Sequence, residues 1–64
     1  MVKINGCDVE AAGQTLAEYL QNANYDERTI VIELNEEIVP KTQYGSTVIK
    51  DGDTIEIISF MGGG

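Results

Sequence analysis

A chain of 64 residues builds one small domain and cannot enclose a deep catalytic cleft while keeping a core, which favours a binding module or carrier over a free-standing enzyme. Eleven acidic residues against four basic ones give a net charge of -7. The cations Lys3, Arg28, Lys41 and Lys50 are scattered, so the cationic patch that nucleic acid or an anionic membrane requires is absent from the sequence.

The acid excess has two uses open to it: solubility alone, or a field that attracts a basic protein partner. Cys7 is the one cysteine and there is no histidine. An internal disulfide, a Cys/His nucleophile pair and a Cys/His zinc site are therefore excluded, and Cys7 reads as a turn or strand residue without a role. The opening "MVKINGCDVE" has no cationic leader followed by an apolar run, and no stretch approaches the ~20 apolar residues of a membrane span. A cytoplasmic, reducing location is expected.

In chain order, Val2 and Ile4 alternate with Lys3 and Asn5, the pattern of a half-buried strand. Asn5-Gly6 is a strong hairpin signal, since both residues tolerate positive φ, and a second strand is expected around Asp8 to Ala11. The period then changes. Thr15 with Glu18 three residues on fits a capping box, and Leu16, Tyr19, Leu20 and Ala23 share one helical face, with Asn24 as the stop. "NYDER" reads as a polar loop. "TIVIEL" reads as a strand with Ile30, Ile32 and Leu34 on one side and Val31 and Glu33 on the other. Asn35-Glu36-Glu37 turns the chain into a short strand at Ile38-Val39, closed by Pro40 as suits a sheet edge. "KTQYGS" reads as an irregular turn or 3₁₀ segment, Thr47 to Ile49 as a further short strand, and Asp51-Gly52-Asp53 as a tight turn before the last strand, "TIEIISF".

This order of elements predicts an α+β chain of the β-grasp type. Four to five strands form a mixed sheet packed on one main helix, with the first and last strands parallel neighbours at its centre. A hairpin ladder with an unrelated terminal strand fits the pattern less well. The domain is expected over residues 1–60, and 61–64 as a flexible glycine-rich tail. The expected core is Val2, Ile4, Leu16, Leu20, Ile30, Ile32, Leu34, Ile55 and Ile57.

With Ile55 and Ile57 facing the helix, Ile58 and Phe60 point outward beside Val31. Three apolar residues on an outer sheet face beside the tail form a candidate docking patch. A bulge in the last strand would reverse that assignment. Asp51 and Asp53 read as turn residues, because a lone acidic pair lacks the ligand count a metal needs.

The chain closes on Met61-Gly62-Gly63-Gly64. Two readings fit this end. It is an inert terminus, or it is a thread, free of Cβ atoms after Met61, that carries a carboxylate through a narrow channel. A free α-carboxylate is ionised at neutral pH and resists nucleophiles, so its use as an acyl donor requires activation. There is no GxxxxGK[ST] loop here, so activation belongs to another protein and no nucleotide is expected on this chain.

Taken together, "ING", "GQTLAEYL", "ELNEEIVPKTQY", "DGDTIEII" and the terminal "GGG" resemble the ThiS family, the ubiquitin-like sulfur carriers of thiamine biosynthesis, over essentially the whole chain. The resemblance implies a carrier rather than an enzyme. It implies that a ThiF-type adenylyltransferase, using ATP and magnesium, adenylates the Gly64 carboxylate. A persulfide sulfur donor then replaces AMP, and the ThiG thiazole synthase takes sulfur from the resulting thiocarboxylate. Gly63 and Gly64 match the family's terminal pair, Gly62 is an extra glycine before it, and Ile58 and Phe60 fall at the partner interface. The small subunit of molybdopterin synthase shares this chemistry but is generally longer, with a Pro-containing segment before its Gly-Gly. A carrier for cysteine or methionine formation and a stand-alone β-grasp binding module with an inert tail stay open.

Overall fold

The computed structural model describes residues 1–60. Strand β1 (Val2–Ile4) turns back into β2 (Cys7–Val9) through Asn5 and Gly6, whose φ values of 52° and 83° are the pair that a tight two-residue hairpin demands. β2 begins and ends earlier than the alternation suggested.

Helix α1 (Leu16–Asn22) opens on the expected capping box. Thr15 Oγ1 accepts from Glu18 N at 3.1 Å, and Glu18 Oε1 accepts from Thr15 N at 2.8 Å. The two free N–H groups ahead of Glu18 find carbonyls from far along the chain: Leu16 donates to Thr47 and Ala17 to Tyr44, each at 3.0 Å. The helix start is thus fastened to the segment 44–47, which has little regular structure of its own. Leu16 and Leu20 are buried and Tyr19 half-buried, whereas Ala23 caps the C-terminus and is exposed.

A 3₁₀ turn (Glu27–Thr29) leads into β3 (Ile30–Leu34). Asn35 and Glu36, at φ 50° and 72°, turn the chain into β4 (Glu37–Val39). A second 3₁₀ turn (Lys41–Gln43) follows Pro40, and β5 (Thr54–Ser59) is the last strand. Thr47 to Ile49 is not a strand: Val48 makes only an isolated bridge to Thr15.

The sheet order is β2-β1-β5-β3-β4, five strands, with β1 and β5 parallel at the centre and the other pairings antiparallel. Its inner face packs on α1. The core holds Val2, Ile4, Leu16, Leu20, Ile30, Ile32, Ile55 and Ile57 as the alternation predicts. Leu34, at the end of β3 opposite Ile55, is only half-buried. Ala11, Tyr44 and Ile49 complete the core from irregular segments, where no period announces them.

Candidate functional site

The site is the outer face of β3 and β5 at the end where β5 finishes. The β3–β5 register runs from Leu34–Ile55 to Ile30–Ser59 with no residue skipped, so β5 has no bulge within it. Val31 therefore lies directly opposite Ile58. Ile58 is 45% exposed and Val31 half-buried. Phe60, 53% exposed, follows just past the strand, its N–H donating to Thr29 O at 3.0 Å. The three residues of the expected patch are thus brought to one end of one sheet.

Two further features share this face. Ile38 on β4 is 68% exposed and sits beside Glu33. Continued alternation past Val39, which pairs with Ile32 and faces inward, was the signal for it. Glu33 in turn lies directly opposite Glu56 on β5. Two carboxylates in register repel, so this apolar patch is edged by negative potential.

Lys41 is the functional candidate that periodicity could not reach. Its ammonium donates to Ile30 O at 2.6 Å and to Glu27 O, and lies over the rings of Tyr44 and Phe60. Nearby, Asp26 accepts from Arg28 Nη2 at 3.0 Å and from the Arg28 backbone N–H at 3.0 Å. The guanidinium contact above all holds the Asp26 carboxyl below its ordinary range.

The acidic turn before β5 has structural work. Asp53 Oδ2 accepts from Lys50 N at 2.9 Å and its Oδ1 from Asn35 Nδ2 at 3.0 Å, while Asp51 pairs with the N-terminal ammonium. Among the described residues no three of His, Cys, Asp or Glu gather as a metal site would need. No helix there is long and apolar enough to cross a membrane. Cys7 is exposed. A surface groove of about 600 Å³ runs along α1, lined by Gln14, Glu18, Gln21 and their neighbours, and holds none of the patch residues. Met61, Gly62, Gly63 and Gly64, the expected carrier end, lie outside the described residues.

A model of the ThiS family matches residues 2–64. The chain belongs to the ThiS family. It is 33% identical over 66 residues to the sulfur carrier protein ThiS of Bacillus subtilis (strain 168), an alignment that covers 100% of both chains. The crystal structure of the thiamine biosynthesis protein ThiS from Geobacter metallireducens superposes with a TM-score of 0.77 at 31% identity, covering 98% of this chain and 97% of that one. A thiazole synthase of Paramagnetospirillum magneticum is 41% identical over 54 residues; the match takes in 84% of this chain but spans only 17% of that enzyme's length. The five-stranded mixed sheet over one helix is accordingly the ThiS β-grasp, and a ThiS chain is a small carrier, not itself a catalyst.

Proposed function

We propose that this chain carries sulfur for thiazole formation in thiamine biosynthesis on the carboxylate of Gly64. The observation that carries the reading is the ThiS match, which runs through residue 64 and so includes Gly62, Gly63 and Gly64. A carboxylate oxygen of Gly64 attacks the α-phosphorus of ATP on a ThiF-type adenylyltransferase, with magnesium, and pyrophosphate leaves. A persulfide sulfur attacks the acyl carbon and expels AMP. A thiol then cleaves the S–S bond, supplying the two electrons, and Gly64 is left as a thiocarboxylate. ThiG thiazole synthase accepts that sulfur; the 41% identity to a stretch of a thiazole synthase supports this acceptor. Val31, Ile58 and Phe60 are the surface on which these partners dock, an apolar patch next to the strand end that leads to the tail. ATP and magnesium act on the partner, and this chain binds neither.

Intact-mass measurement tests the reading. The Cys7→Ser variant is incubated with a ThiF-type enzyme, ATP, magnesium and a persulfide source, so that thiol chemistry at Cys7 cannot imitate the product. A gain equal to replacing one oxygen by sulfur, lost when Gly63 and Gly64 are deleted, is the expected result. An unchanged mass, with an activator competent on its own carrier, overturns it and leaves a binding module with an inert end.

A further inference from the structure

Sulfur loading leaves the placement of Lys41 unexplained. Pro40 has no N–H and stops the β3–β4 ladder, whose last pair is Ile32–Val39. The register would next set Lys41 beside Ile30, and there the side chain takes over from the backbone: its ammonium donates to Ile30 O at 2.6 Å and to Glu27 O. The same nitrogen lies 5.9 Å from the centroid of the Tyr44 ring and 5.7 Å from that of Phe60, both within cation–π range. Acids outnumber bases 11 to 4 in this chain. Yet among the described residues no carboxylate forms an ion pair with Lys41. Its charge is directed to carbonyls and ring faces.

These contacts converge on the residue just past the end of β5. Phe60 is held through its N–H on Thr29 O and through its ring under an ammonium that is itself anchored to β3. Tyr44, whose ring lies within reach of the same ammonium, is buried in the core. The strand end is therefore tied to β3 by a side chain that, among the described residues, forms no ion pair.

We propose that Lys41 is a positioning residue for acyl activation: by clamping Phe60 it sets the place and direction of the strand end to which Met61–Gly64 are joined, and so where the Gly64 carboxylate is delivered. This rests on the sulfur-carrier reading above. Delivery is sensitive to such a clamp, because a misplacement of roughly 1 Å can lower a rate by about a hundredfold.

Lys41→Met keeps the length and apolar stem but removes the charge, and Lys41→Arg keeps the charge. Two measurements are made on each: hydrogen exchange at the Phe60 amide, and steady-state kinetics of ATP-dependent activation with the variant as the enzyme's substrate. Lys41→Met is expected to exchange faster at Phe60 and to lower kcat roughly tenfold with a smaller rise in KM, since Val31 and Ile58 of the docking patch, held by the β3–β5 pairing, stay in place. Lys41→Arg is expected to restore both. If Lys41→Met unfolds, Phe60→Leu, which takes the ring away from the ammonium but keeps an apolar side chain in the docking patch, is measured in its place; its kcat must fall, and a kcat equal to wild type, whatever its KM, overturns the proposal. An active wild type with a Lys41→Met variant of equal kcat, or with a defect confined to KM, overturns this proposal alone. A wild type that gains no sulfur overturns the carrier reading and this proposal with it.

Discussion

Asn5 Oδ1 accepts a hydrogen bond from the backbone N–H of Ile57 at 2.8 Å, across 52 positions of sequence. One residue does two jobs here. Its backbone, at φ 52°, makes the first corner of the β1–β2 turn. Its side chain continues the parallel β1–β5 ladder one step beyond the point where β1 has turned away. Asn5→Gly preserves the turn conformation and deletes the acceptor, leaving a part-buried N–H unsatisfied. A loss of about 1–2 kcal/mol is expected in urea unfolding, against a smaller loss for Asn5→Asp, which keeps an acceptor in the same place.

Glu36 offers the opposite experiment. It occupies the second corner of the β3–β4 turn at φ 72°, is exposed, and has a Cβ where the left-handed conformation disfavours one. Glu36→Gly removes that strain but adds backbone entropy to the unfolded chain. Relief of the strain outweighs the added entropy, so a net gain on the order of 0.5–1 kcal/mol is expected, seen as a rise in Tm of a few degrees. No rise would mean that the turn is set by Asn35, whose side chain already bonds Thr54 N and Asp53, and not limited by Glu36.

Strand phase carried most of the fold in the sequence, because a period of two assigns each residue of β1, β3 and β5 to a face. It put Val31 and Ile58 on one face as well, but their standing directly opposite each other is set by the β3–β5 register, which phase alone does not give. What it could not carry lies where the chain has no period. Tyr44 and Ile49 enter the core from a segment that is held by α1's free N–H groups and by backbone bonds to Gly13 and Gln14. Lys41 and Asn5 act through side-chain bonds to remote backbone, which no local pattern encodes. Leu34 kept its phase but lost its cover, as sheet ends do.

Burial raises the Tyr44 phenol above its ordinary pKa of 10.0, with desolvation of the phenolate as the leading cause; the same cause raises half-buried Tyr19. The unfolded chain then releases these protons at lower pH than the folded one. Stability is fully present below pH about 10 and falls as pH rises through the folded values. Urea midpoints measured between about pH 8 and about pH 11 are expected to drop, and to drop less in Tyr44→Phe, which has no proton to lose there. An identical drop in the variant would assign the alkaline transition to other groups.

Ile58→Asp separates docking from folding. Ile58 is 45% exposed, faces away from the core and pairs with Val31, so the variant forfeits little apolar burial on folding and its Tm should fall by only a few degrees. It does place a carboxylate in the middle of the apolar patch, two residues along β5 from Glu56, itself opposite Glu33. A partner that covers Ile58 must then bury an unpaired charge. Affinity for the ThiF-type activator is expected to weaken by tenfold or more, about 1.4 kcal/mol per decade, measured by calorimetry on the free chain. KM rises while the saturated rate holds, the reverse of the pattern expected for Lys41→Met. Binding unaltered by Ile58→Asp would move the docking face elsewhere on the sheet, and Ile38, 68% exposed on β4, is the next residue to test.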